Sequence, residues 1–314
     1  MSDDPYRIDV HQHILPPVYL SALARLGITS SGGRPLPEWD IQNTLALMDR
    51  YAIATAITSI SEPGIYFGDV TFARDMARRC NEFSAQLIHE YPQRLGAFAI
   101  LPLPDIDAAL RELEYALDTL KLDGVVLLSS VDGRYPGDPL FDELFTELNR
   151  RKAVVFLHPT VPAINSELKL DLPPFLIEFV FDTTRAVTNL IYSGTLERCP
   201  DIRFIVAHAG GTVPFLAYRI SMGQIMLPGA REGALTYLKQ LYYDTALSVN
   251  PIALRSLQEL VDSTNILFGS DTPFAPELAL FLFVQGIQNF DGFDEQARKA
   301  VERESALALF PRFK

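Results

Sequence analysis

The chain has 314 residues, 48% hydrophobic and 21% charged, and its 27 basic against 39 acidic residues leave a net charge of −12. That apolar content can bury a sizeable core, which excludes a disordered chain, and an acidic balance without any basic block argues against nucleic acid or an anionic membrane as partner. Cys80 and Cys199 make neither a disulfide framework nor a metal motif, the acidic start MSDDPYR is unlike a secretory leader, and the longest apolar stretch, around Leu278 to Val284, falls far short of the roughly 20 residues of a membrane span; the expected setting is cytoplasmic.

Short apolar, β-rich runs alternate with longer helical patterns from end to end. Strands are predicted at 7–10, 54–60, 96–101, 124–128, 153–157, 202–206, 241–243 and 265–268. Helices are predicted at 69–91, 105–120, 139–150, 175–190, 212–225, 251–261 and 294–310. In the second of these, Ile106, Leu110, Leu113, Leu117 and Leu120 recur at three- and four-residue steps, the mark of one buried helix face. Eight apolar strands, each followed by a helix, predict a single (β/α)8 TIM barrel spanning 1–314. The alternative, an open doubly wound sheet, lacks its Gly-rich phosphate turn after the first strand, where His11-Gln12-His13 stands instead. Two connections are long, 14–40 after the first strand and 161–174 after the fifth. In a barrel both emerge at the C-terminal face, where active sites are built.

The five histidines carry most of the information. His11 and His13 close the first strand and, two apart, point to one face. His158 ends the fifth strand in VVFLHPT, His208 the sixth in FIVAHAGG, and Asp271 the eighth in ILFGSDTPF. A lone strand-end histidine is ordinarily a satisfied structural residue. Four of them with an aspartate, all at one end of a barrel, would instead converge over its mouth. Imidazoles with a carboxylate suit a divalent ion, zinc or manganese. His89, in the helical LIHEYP, shares none of this context and is expected on a helix surface. Gly210-Gly211 is read as a tight strand-to-helix turn rather than a ligand loop, and Arg185 as paired with Asp182 or another carboxylate of the chain rather than with an anionic substrate. Phe274 and Trp39 are each either pocket lining or ordinary core.

These pieces resemble the amidohydrolase superfamily. Within it they resemble the branch of aminocarboxymuconate semialdehyde decarboxylase and the aromatic acid (γ-resorcylate and 6-methylsalicylate type) decarboxylases. The matching segments are DVHQHILPP, VVFLHPT, FDTTRAVTNLIYSG, IVAHAGGTVPFLAYR and FGSDTPF, in the expected order along nearly the whole chain. The resemblance implies that His11, His13, His158 and Asp271 hold one metal ion and that His208 is an acid/base group. A single ion is also expected because the fourth strand ends in LLSSV, without the carboxylated lysine of binuclear relatives. Thr44 stands where the muconate semialdehyde enzyme has a substrate-binding arginine, which points away from that substrate.

The activity implied is non-oxidative decarboxylation of a small aromatic or unsaturated carboxylic acid of the hydroxybenzoate type, with His208 and Asp271 as the catalytic groups. The rival from another reaction class is hydrolysis of a lactone, amide or cyclic C–N bond by a metal-activated water; a fold alone does not decide between them. Arg219 lies eleven residues after His208, where the resemblance places a substrate-binding arginine that reaches the neighbouring subunit. A homodimer is therefore expected, with 173–180 as apolar interface material and Phe274 as a second substrate contact.

Overall fold

The computed structural model describes residues 6–227 and 229–314. Eight parallel strands follow one another around a barrel: β1 (Arg7–His13), β2 (Ile53–Ser59), β3 (Leu95–Ile100), β4 (Gly124–Leu128), β5 (Val154–His158), β6 (Arg203–Val206), β7 (Tyr242–Asp244) and β8 (Ile266–Leu267). All eight lie where the apolar runs predict them, shifted by at most a few residues. The first and last strands meet through hydrogen bonds rather than a regular ladder. Val10 N–H donates to Phe268 O (2.9 Å), Asp271 N–H to His11 O (2.7 Å) and His13 N–H to Thr272 O (2.7 Å). This is the (β/α)8 TIM barrel.

All seven residues of β1 are buried, because one face fills the barrel and the other packs under helices. Phe98 and Phe156 stack at 5.3 Å between ring centroids, and Phe156 meets His11 edge-on at 4.9 Å. An apolar aromatic layer thus forms the floor beneath the histidines. Outside, helix Val70–Glu90 shows how the helices dock. Asp69 caps it by accepting from Thr71 and Phe72 N–H, and Ala73, Met76, Ala77, Cys80 and Ser84 form its buried stripe. Asn81 on that stripe exchanges two hydrogen bonds with the backbone of Ile100, fixing the end of β3.

The structure departs from the sequence expectations in instructive places. The 14–40 connection carries a helix, Pro17–Arg25, and a two-stranded ribbon, Ser30–Ser31 against Arg34–Pro35. The helix expected over 105–120 is α-helical over Ile106–Glu114 and then widens into a π turn, Tyr115–Thr119. A helix at Glu277–Asn289 has no counterpart in the pattern because it is apolar nearly all round: Leu280, Phe283, Val284 and Ile287 are buried, while Leu278, Phe281 and Leu282 are exposed. Among the described residues no helix is long and apolar enough to cross a membrane.

Candidate metal and catalytic centre

The five residues from the strand ends converge. His11 Nε2 lies 3.1 Å from His13 Nε2 and 3.2 Å from Asp271 Oδ1, and His13 Nε2 lies 3.1 Å from the same oxygen. The His158 ring is 4.9 Å from that of His13 and 5.2 Å from that of His11. His208 Nε2 faces Asp271 Oδ2 at 3.7 Å. Four donor atoms, one each from His11, His158, His208 and Asp271, all lie within 4.8 Å of one another. His13 sits beside that set rather than apart from it. All five side chains are buried.

The outer ring nitrogens decide what the inner ones can do. His158 Nδ1 is 2.7 Å from Pro159 O, and a carbonyl can only accept, so Nδ1 carries the proton and Nε2 is left with its lone pair, Ser61 Oγ lying 3.5 Å away. His11 Nδ1 is held in the same way by Asp244 Oδ2 at 2.7 Å. Two lone pairs and a carboxylate aimed at one point are a cation site, and carboxylate-backed imidazoles are the usual way of presenting a metal ligand. His208 makes the complementary observation: buried as it is, neither of its ring nitrogens has a hydrogen-bond partner. A polar group left bare in that way is costly unless something polar comes to meet it. The donor set therefore fits a divalent ion.

Electrostatics point the same way. Burial alone would depress the His11 pKa, but the Asp244 and Asp271 carboxylates outweigh it and raise it to about 10. At His158 burial wins, reinforced by the neighbouring imidazoles, and the pKa falls well below the ordinary histidine value. Burial would raise Asp271, yet hydrogen bonds with His11 and His13, and the His208 imidazole facing it at 3.7 Å, hold it well below the carboxylate range. Carboxylates that favour a proton at this point favour any cation there.

Two carboxylates outside the cluster organise it, and neither was singled out in the sequence. Asp244 ends β7 and, besides His11, accepts from the backbone N–H groups of His208 (3.0 Å) and Ala246 (2.9 Å). Its signal is positional, the same strand-end rule that marks Asp271, but the predicted apolar run stops at Tyr243. Asp9 accepts from the N–H of His11 (3.0 Å) and Ser270 (3.0 Å) and from Ser270 Oγ (2.5 Å), joining β1 to the segment after β8. Burial lifts its pKa to about 7 against those hydrogen bonds. With these supports, His208 and Asp271 are held at left-handed backbone angles, φ 55° and 61°, a conformation few side chains adopt without such fixing.

Above the cluster opens a cavity of about 300 Å³. His158, His208 and Asp271 form its polar end; Phe175, Phe179, Val180, Leu247 and Phe274 form apolar walls, and Arg34 stands at its edge. Phe274 is thus pocket lining, its ring 5.4 Å from that of His13. Trp39 instead packs on Phe83 and, with Thr44 and Arg50, borders a neighbouring cavity. Arg50 pairs with Glu277 at 2.5 Å. Arg185 lies 3.7 Å from Asp182 and 4.0 Å from Glu178, as an intramolecular partner should. His89 is exposed on its helix. Gly211 (φ 65°) makes the tight turn: a Cβ there would lie 2.2 Å from Val180 O. Arg219 is exposed on helix Val213–Met222 and does not line its own chain's cavity.

Comparison with known proteins agrees with this geometry. The amidohydrolase family model matches residues 8–312. The chain is 38% identical to the decarboxylase yanB of Aspergillus niger, over 98% of this chain and 88% of that one. It is 36% identical to 6-methylsalicylic acid decarboxylase of Penicillium expansum, over 98% and 97%. A solved structure described as an amidohydrolase II superposes with a TM-score of 0.91 at 31% identity, over 97% of this chain and 99% of the other.

Proposed function

This chain belongs to the amidohydrolase family, and we propose that it is a metal-dependent decarboxylase of small aromatic carboxylic acids, with a hydroxybenzoate of the salicylate type as substrate. The observation that carries the reading is the cavity: a buried cluster of imidazoles and one carboxylate at one end of a pocket walled by phenylalanine. Near-full-length similarity to 6-methylsalicylic acid decarboxylase supports the same chemistry. Carbon dioxide release from a panel of salicylate-type acids, set against hydrolysis of a lactone panel, tests it. Turnover of lactones with none of the acids would replace it by the hydrolase reading.

Breaking a bond between carboxylate and aromatic ring leaves an electron pair without a sink, unless the ring carbon is protonated first. His11, His13, His158 and Asp271 would hold one divalent ion, zinc or manganese, which supplies Lewis acidity and a template for substrate oxygens. The His208–Asp271 pair brings the proton to the ring carbon, with His208 Nε2 facing Asp271 Oδ2. The C–C bond then breaks, its electrons restore the aromatic ring, and carbon dioxide leaves. Phe274, Phe175 and Phe179 hold the ring and keep water away from the reacting carbon.

Asp244 acts through His11. Asp244→Asn is expected to weaken metal binding about 10–100-fold, the usual worth of a carboxylate behind a ligating histidine, as read by competition titration with a chromogenic chelator. Affinity unchanged in that variant would remove His11 from the ligand set.

The remaining expectations form part of the same proposal: one barrel domain over 1–314 with 14–40 at its active-site end, a cytoplasmic setting, and a homodimer. The support for a dimer is a broad apolar surface on helix Val213–Met222 and the turn after it, where Phe215 (85% exposed), Tyr218, Met222, Ile225 and Met226 face outward. Leu176 within 173–180 is exposed as well. Arg219 shares that helix and makes no ion pair among the described residues, so its guanidinium is free to grip a carboxylate in the partner's cavity. Arg219→Lys is expected to keep the metal and lower kcat/KM about tenfold or more. Mixed dimers with a partner lacking its own metal site should recover activity. Unchanged kinetics would leave Arg219 a surface residue.

A further inference from the structure

Among the described residues Arg34 is the one lysine or arginine lining the cavity above the histidine cluster. Most arginines of this chain find a carboxylate, among them Arg7, Arg74, Arg94, Arg151 and Arg312. Arg34 does not. Its Nη1 donates to Phe274 O at 3.4 Å, its guanidinium lies 5.3 Å from the centre of the Phe175 ring, and no carboxylate among the described residues pairs with it. Phe274 therefore touches both groups, with its ring on His13 and its carbonyl on Arg34.

This arginine is not on a free loop. It follows the Gly32-Gly33 turn of the ribbon, and the turn is wedged against the other long connection. Phe175 N–H donates to Gly32 O at 3.1 Å. Both glycines have positive φ, 55° and 85°, and an added Cβ would lie 2.8 Å from Phe179 Cζ at the first and 2.8 Å from Pro174 Cδ at the second. The far side of the ribbon is tied down by Ser31, whose Oγ is hydrogen-bonded to both the backbone oxygen and the buried carboxyl group of Glu62. Two connections from different strands thus lock together, and Arg34 is placed where they meet. In a protein of net charge −12, an anion needs a local positive potential to approach the barrel mouth.

We propose that Arg34 is a carboxylate-recognition residue of this pocket, supplied by the same chain as the histidine cluster. Its guanidinium takes the anionic carboxylate of the incoming aromatic acid at the cavity mouth, beside the phenylalanine walls that take the ring, and so selects the acid over the uncharged product. The proposal rests on the reading of the substrate as an aromatic acid and adds the group that identifies it. A planar guanidinium meets both carboxylate oxygens at once, which an ammonium cannot. Loss of the carboxylate removes the partner, so the product leaves a site that no longer grips it.

Calorimetric binding of salicylate, of its uncharged analogue salicylamide, and of phenol to the wild type, Arg34→Gln and Arg34→Lys tests this. In Arg34→Gln, salicylate binding should weaken about tenfold or more, as for loss of a charge-assisted pair. Salicylamide and phenol should stay within about twofold, and Arg34→Lys should fall between. In turnover, KM should rise with kcat little changed, because the carboxylate is still attached when the ring carbon is protonated and the contact is the same in the bound acid and the transition state. Equal weakening of salicylate and salicylamide would mean lost packing and overturn the proposal, as would no change in either, or a wild type that fails to prefer salicylate. If the wild type binds salicylate through Arg34 yet releases carbon dioxide from no acid, the decarboxylase reading falls and the role of Arg34 stands.

Discussion

Chelation should abolish turnover, and zinc or manganese added back should restore it. His11→Ala should do the same permanently, removing bound metal and lowering turnover by about 10³-fold or more, the several kcal/mol of barrier that a Lewis acid supplies. The size of the effect follows from the geometry. His11 Nε2 stands within 3.2 Å of both His13 Nε2 and Asp271 Oδ1, so its loss removes the centre of the donor set. It also strands the buried Asp244 carboxylate, whose side-chain partner among the described residues is His11. Because imidazole ligands bind as bases, acid should favour release of the ion, and metal affinity should rise with pH. Elemental analysis beside the activity assay checks the prediction; full activity in metal-free protein would refute the central claim.

His208→Ala is expected to behave differently: turnover falls by about 10²–10⁴-fold while metal content falls far less than in His11→Ala. The ring of His208 is buried with both nitrogens unpartnered, and only its backbone is anchored, by Asp244. Such a side chain can face a substrate without being spent on structure. Metal stoichiometry that collapses together with activity would make His208 a ligand, in the set of four with His11, His158 and Asp271, and would leave His13 as their neighbour.

Much of this was legible in the amino-acid order, for a physical reason. A barrel strand buried on both faces is a dense apolar run, and a polar residue closing such a run can lie only at the rim. His13, His158, His208 and Asp271 all follow that rule, and the resemblance carried by DVHQH, VVFLHPT and FGSDTPF agrees with the family match over 8–312. Asp244 obeys the rule as well, but β7 is only three residues long, Tyr242–Asp244, too short an apolar run for its closing aspartate to stand out. Helix Glu277–Asn289 was hidden because its outer face is nearly as apolar as its inner one. Arg34 carried no signal at all. Its importance comes from a turn that packs against residues about 140 positions later, and no local pattern records such a meeting.

The junction between the first and last strands has a consequence for how the protein is made. β8 is two residues long, and the barrel is shut mainly by the segments that carry His11, His13 and Asp271. Asp9 and Ser270, which clasp each other there, are 261 residues apart. Bringing such distant points of a flexible chain together costs about 5 kcal/mol of entropy by the logarithmic loop-closure law. During synthesis, a chain that has emerged only as far as β7 holds three of the four proposed ligands on an open sheet without Asp271 to complete them. The ion-binding point comes into being with the final turn of the ring, so a truncated product carries neither the closed barrel nor a competent centre.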